Sequence, residues 1–187
     1  MSVFKTYSLE SLGEFSNRSE KLAIFERDPV KGADEFFQKI MINKFKIKGQ
    51  VFRNNSYNHI KSLIESVVPK KVNSEPFYSI WLKDMSNMCK YFCDFLKIES
   101  VGFSLGTKRV CKRYHFDNVP MRLLVTYAGK GTEWIPDQFV DRNAYENGLP
   151  NESILKNPSR SKFINTWDVA IFRGGSDDCS TVHQMQH

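Results

Sequence analysis

The chain predicts an α+β protein: a mainly helical layer over residues 1–97 supporting a β-rich region over residues 98–187, together one domain. Three observations predict it. Through much of the first half, apolar residues recur three and four apart, the period of a helix with one buried face. After Lys97 the pattern changes to short alternating runs divided by Gly-containing turns, the texture of a sandwich or jelly roll. And 187 residues suffice to bury one sizeable core without a second domain.

Taken in order, residues 22–27 form a short apolar run that predicts an early strand, broken by Asp28-Pro29. Residues 33–42 place Phe36, Phe37, Ile40 and Met41 on one helical face. Residues 45–52 alternate as a strand does, although a helix ending at Gly49 fits the same letters. A helix follows over 55–68, with Ile60, Leu63, Ile64 and Val67 on one side and Pro69 as its stop. Ser74-Glu75-Pro76 is a helix-start signal. The helix it opens should run to about Leu96 and bury Ile80, Met85, Met88, Phe92 and Phe95. Strands are then expected over 98–105, 109–116 and 121–127, from Glu133, over 163–172, and at 181–183. Residues 141–162 are polar and predict a long loop or a partly helical excursion.

Composition excludes several classes. With 41% hydrophobic and 13% aromatic residues the chain is too apolar to be disordered, and no run is long and apolar enough to span a membrane. The first residues lack the basic and apolar blocks of a secretory signal, so cytoplasmic residence is expected. The 27 basic and 21 acidic residues give a net +6 that is scattered along the sequence, so neither nucleic acid nor membrane is expected as a partner. Four cysteines form no C-x-x-C pair; Cys89 and Cys93, one helical turn apart among aromatics, read as core.

Residues 110–134, VCKRYHFDNVPMRLLVTYAGKGTEW, hold His115 and Asp117 between two apolar runs. In an extended strand, residues two apart project from the same face, which sets the imidazole beside the carboxylate. A distant second histidine, His183, would complete the two-His-one-carboxylate set that holds a metal and leaves positions open. The plainer alternative is that His-x-Asp is an ordinary spacing in which the Asp opens a turn. Other chemistries lack their residues: there is no Gly-x-Ser-x-Gly, and Gly129-Lys130-Gly131 lacks the Gly-Lys-Ser/Thr ending of a phosphate-binding loop.

The block CKRYHFDNVPMRLLVTYAGKGTEWIPD, followed by VDR, WDVAIFRGG and TVHQ, resembles the bacterial DUF1826 family. That family carries Arg-Phe-His-x-Asp, then Arg-Leu-Leu-x-Thr-Tyr-x-Gly-x-Gly-Thr-Glu-Trp, then Val-His-Arg-Ser-Pro. The match is strong over about residues 95–183 and weak before them. Its motif order looks like the cupin, or double-stranded β-helix, fold of Fe(II)/2-oxoglutarate oxygenases. Its association with zinc starvation implies, as the alternative, a zinc protein partnered by a metallochaperone-type GTPase. Two departures matter. Val182-His183 is followed by Gln184-Met185-Gln186, and the sequence ends at His187, so a double-stranded β-helix here is expected to lack its closing strand and the Arg on it.

Under the oxygenase expectation His115, Asp117 and His183 hold Fe(II), and 2-oxoglutarate binds beside it. Its distal carboxylate needs a cation, for which Arg122 is the available candidate, with Tyr127 lining the pocket. A structural ion pair of Arg122 with Glu133 or Asp137 is the competing role. Under the zinc expectation the same residues hold Zn(II), with Cys111, Cys179 or His187 as a further ligand; Cys111 lies an even offset from His115. A third reading is a cupin-like binding module with no metal. The substrate, small molecule or protein, is not specified by the residues.

Overall fold

A computed structural model describes residues 3–107 and 113–174, and the backbone of 182–185. In chain order the elements are strand β1 (Phe4–Thr6), helix α1 (Leu9–Leu12), β2 (Leu22–Phe25), α2 (Ala33–Met41), β3 (Lys46–Phe52), α3 (Ser56–Glu65), α4 (Lys70–Asn73), α5 (Pro76–Leu96), β4 (Ser100–Gly106) and β5 (Met121–Val125). There follow β6 (Thr132–Ile135), α6 (Arg142–Glu146), α7 (Asn151–Ile154), β7 (Lys162–Ile164), β8 (Val169–Arg173) and β9 (Val182–Met185). The class is mixed α+β, as expected. Among the described residues the sheets are small and none closes into a barrel; no helix is long and apolar enough to cross a membrane.

Contacts divide the chain into two units, Met1–Pro29 with Arg109–His187, and Val30–Lys108. In the first, a four-stranded sheet runs in the order β1-β2-β8-β5, antiparallel except for the parallel β1–β2 pair. Thus β1 and β2, from the stretch expected to be mainly helical, belong to a sheet with the C-terminal strands. The reason lies in β2 itself. Leu22, Ala23 and Ile24 are all buried, so this strand needs cover on both faces and pairs on both edges. On one face Leu22, Ile24, Ala170, Phe172 and Leu124 form a core with Trp134 of β6 and Ile164 of β7. These last belong to a three-stranded antiparallel sheet, β7-β6-β9. Helix α1 packs on β2, and Leu12 and the nearby Phe15 are fully buried.

One expected strand, 163–172, is two. Between β7 and β8 the chain turns at Asn165–Asp168, where Trp167 adopts a left-handed φ of 74°. Such a conformation is unfavourable for a bulky residue. It is held here by Trp167 N–H donating to Thr126 O at 2.7 Å and by Arg27 Nε–H donating to Trp167 O. The Asp168 carboxylate, 3% exposed, accepts from the backbone N–H of Arg27 at 3.2 Å and of Asn165 at 3.0 Å. Burial raises its pKa above the usual aspartate value, against the opposing pull of those two hydrogen bonds. Between the unfolded and folded values the folded protein holds a proton that the unfolded chain has released. The Asp168 contribution is therefore greatest at low pH and declines as pH rises through that window. A carboxyl titration followed by NMR should place the Asp168 midpoint above that of a free aspartate; a midpoint at or below it would contradict the burial argument.

In the second unit β3 and β4 form an antiparallel pair. The alternating stretch 45–52 is thus a strand, not a helix end. Its inner face packs on α3 so closely that a methyl on Gly49 would sit 2.7 Å from Leu63. α2 buries Phe36, Phe37 and Ile40, with Met41 exposed, and α3 buries Ile60 and Ile64. The long helix begins at Pro76 with Glu75 in the N-cap position, its carboxylate on Lys39 and not on the helix end, while the Ser74 hydroxyl donates to Lys71 O at 2.9 Å at the end of α4. It buries Phe77, Tyr78, Trp81, Leu82, Met85 and Met88. Ile80, expected inside, is exposed. Trp81 meets Phe36 and Phe37 edge-on at 5.7 and 5.4 Å. Cys93 is fully buried, and burial pushes the Cys89 thiol up to about 12, both suited to the core role expected of them.

Candidate functional site

The segment 113–117 is held from one side by the excursion 141–155. Arg113 donates from Nη1 to Gly148 O at 2.8 Å and from Nη2 to Tyr145 O at 3.3 Å, gripping carbonyls at the end of α6. Tyr114 N–H donates to Asn151 Oδ1 at 2.9 Å, and Phe116 N–H to the Tyr145 hydroxyl at 3.4 Å. The Phe116 ring meets Tyr145 edge-on at 4.6 Å, and Arg142 lies over its face at 4.6 Å. Tyr114 enters a core of Ile135, Val140, Ala144, Ile154 and Leu155, with Phe116 packed against it. With both neighbours drawn into that core, His115 is left to the other side, as alternation in extended chain requires.

Two contacts fix the chemistry of the pair. His115 Nδ1 lies 3.0 Å from Arg113 O. A carbonyl can only accept, so Nδ1 carries a proton, and in the neutral imidazole the lone pair is then on Nε2. Metal-binding histidines are commonly oriented through this kind of backbone contact. Asp117 is 3% exposed, and its Oδ1 accepts from Arg122 Nε at 2.5 Å. Arg122 projects from β5 on the face that carries Leu124, level with Phe172 and Leu22 in the sheet register. Asp117 is thereby tied to the strand face that lines the core between the two sheets.

Gly174, just beyond β8, closes the arrangement from below. Its N–H donates to Pro120 O at 3.0 Å, and a methyl there would lie 2.3 Å from Val119 O and 2.5 Å from Asp117 O. The first Gly of Arg173-Gly174-Gly175 therefore does more than turn the chain: it lets the 117–120 loop lie against the strand end.

His183 lies on β9 in register with Trp134 of β6, and Trp134 belongs to the core that Leu124 and Phe172 also line. The His183 side chain, Cys111, Cys179 and His187 lie outside the described residues. Among the described residues no three His, Cys, Asp or Glu side chains group to hold a metal. Arg122 takes Asp117, and Asp137 pairs with Arg142 at 3.2 Å, so neither ion pair proposed for Arg122 with Glu133 or Asp137 forms. Tyr127 packs edge-on against Trp167 at 5.0 Å. Sequence reasoning missed Tyr145, Asn151 and Gly174. Nothing in a polar stretch marks which Asn or Tyr turns inward, whereas the Gly in a strand-end motif was a usable signal for close backbone approach.

Fold and site together define a class: mixed α+β proteins whose paired small sheets carry a His-x-Asp motif braced by a helical excursion. The model of the DUF1826 family, a protein family of unknown function, matches residues 7–184, and the chain belongs to that family. The match takes in most of the N-terminal half, in keeping with β2 sharing a sheet with β8. No curated protein and no solved structure matches the chain.

Proposed function

We propose that the protein holds one metal ion through His115, Asp117 and His183 and acts as an Fe(II)- and 2-oxoglutarate-dependent oxygenase in the cytoplasm. The cupin-type double-stranded β-helix belongs to this proposal, as does a single domain over 1–187. The observation that carries it is the His115 contact to Arg113 O, which presents Nε2 as the donor nitrogen two residues from a buried carboxylate. The two open sheets sharing one core, with Arg122 exposed at its rim on the strand face that carries Leu124, support the fold assignment. The donor set suits iron or zinc: one imidazole nitrogen and one carboxylate oxygen, with His183 on a neighbouring strand as the second nitrogen.

With dioxygen as the oxidant, iron held there would supply the redox chemistry that couples oxidative decarboxylation of 2-oxoglutarate to succinate and CO2 with oxidation of a small-molecule or protein substrate. The chain's own residues have simpler tasks. Arg113 O fixes the imidazole tautomer. Arg122 orients Asp117 through Nε, and its terminal amino groups, on a side chain 44% exposed, can meet the distal carboxylate of the oxo-acid. Tyr127 would line the cosubstrate site, and Cys111, Cys179 or His187 would add a ligand if the metal is zinc. In that second reading, zinc is held without redox turnover and a metallochaperone-type GTPase is the partner.

Metal analysis of protein purified without chelator, followed by anaerobic Fe(II) and 2-oxoglutarate titration, tests this. Close to one metal per chain and a weak visible band on adding the oxo-acid is the expected result. Tight zinc with no band favours the homeostasis role, and absence of any stoichiometric metal would sink both.

A further inference from the structure

Charge is divided unequally between the two units. Of the 27 basic and 21 acidic residues, 13 basic and 7 acidic fall within Val30–Lys108, so this unit carries the whole +6 and the other is balanced. A surplus that looks scattered in sequence is therefore concentrated in one folded body.

Within that unit the outer face of the β3–β4 pair is open. Lys46, Lys48, Gln50 and Phe52 alternate outward along β3, with Lys44 continuing the row ahead of it, and all five are exposed. Residues two apart on a strand are separated by about 6.8 Å, close to the phosphate spacing of an extended nucleic-acid strand. Among the described residues these three lysines form no ion pair, whereas Lys39, Arg53 and Lys61 of the same unit do. Opposite the row, β4 presents Gly106 to Lys46, Ser104 to Lys48 and Gly102 to Gln50, so nothing bulky rises beside the lysines. A methyl added to Gly102 would meet no atom within 4 Å. At the far end Phe52 is 47% exposed, its ring set edge-on to His59 at 5.5 Å.

A positive track beside a flat floor, ending in an exposed aromatic ring, combines the two elements by which single strands are bound without sequence readout: phosphate neutralisation and base stacking. We propose that the outer face of β3–β4 binds single-stranded nucleic acid, with phosphates along Lys44, Lys46 and Lys48 and a base on Phe52. An acidic peptide would use the lysine row but has no use for an exposed ring in line with it, which is why the nucleic-acid strand is favoured. This site is independent of His115 and Asp117.

The test is fluorescence anisotropy of labelled oligothymidylate and oligouridylate with the full chain. Saturable binding of either is expected, with log affinity against log salt falling at a slope near about −2, from three contacts at ~0.7 each. Gly102→Glu places a carboxylate in open space and should abolish binding without unfolding the chain, checked by circular dichroism. Replacing the three lysines by Ala should flatten the salt dependence, and Phe52→Ala should weaken binding about tenfold. The proposal is overturned by absence of saturable binding at low salt, by equal affinity for polyglutamate, or by a Phe52→Ala variant that binds as well as the parent.

Discussion

Gly174→Ala is expected to destabilise the protein by about 2–3 kcal/mol, the range for overpacking a close contact, and to abolish stoichiometric metal binding. The added carbon would lie 2.3 Å from Val119 O, 2.5 Å from Asp117 O and 2.9 Å from Asp117 Cβ. The first two are backbone atoms and cannot swing aside as a side chain would. The loop must move off the strand end, and Asp117 moves with it. Gly148→Ala is the control. It also lies at positive φ, 73°, but with nothing within 4 Å of the new carbon, so it should cost about 1 kcal/mol of backbone strain and leave metal binding intact. Denaturant midpoints read beside metal content separate the two effects. Full occupancy and parental stability in Gly174→Ala would mean that β8 does not set the position of Asp117.

The Arg122–Asp117 pair should respond asymmetrically to loss of either partner. Asp117 is almost wholly buried, while the Arg122 side chain is 44% exposed. Arg122→Met leaves a carboxylate in a buried place without its guanidinium, a change that costs about 2–4 kcal/mol in comparable settings. Asp117→Asn frees an arginine that can turn to water, so about 1 kcal/mol is expected. Metal binding should reverse the ranking. Asp117→Asn removes the charge of a proposed ligand and should bind iron or zinc at least about 100-fold more weakly. Arg122→Met keeps the ligand, and a bound cation takes over the guanidinium's electrostatic role. Added metal should therefore raise the melting temperature more in Arg122→Met than in the parent, by the linkage that stabilises whatever state binds ligand. Equal increments in all three proteins would place the metal elsewhere.

Much of the fold was legible where the pattern is local. The long helix was found from its Pro and its apolar period; only its facing was off, because Ile80 lies roughly 95° round the helix from the centre of the Phe77, Trp81, Met85 and Met88 stripe. The strand over Lys46–Phe52 was legible as an alternative and was decided by its partner β4. What was not legible depends on partners far along the chain. Four apolar residues at 22–25 do not say that they sit between β1 and β8. At the site, His115 and Asp117 stood out by spacing; Gly174 was passed over, although its residue type was a readable signal for close backbone approach. The role of Tyr145 and Asn151 could not, since a hydroxyl or amide inside a polar excursion carries no signal until the excursion folds back. The charge distribution was hidden for the same reason: one unit is a continuous segment and the other is not.

That discontinuity bears on the order of events at the ribosome. The central pairing of β2 with β8 joins Leu22–Phe25 to Val169–Arg173, so the first sheet cannot assemble until Val169–Arg173 has emerged. Val30–Lys108, by contrast, is complete in one run and makes its sheet within itself. The inserted body is therefore placed to fold first during synthesis, while Leu22, Ala23 and Ile24 wait as an exposed apolar strand for a partner not yet made. Until then the early strand is open to misassociation, and His115 and Asp117, which follow it in the same unit, acquire their geometry only when that unit closes.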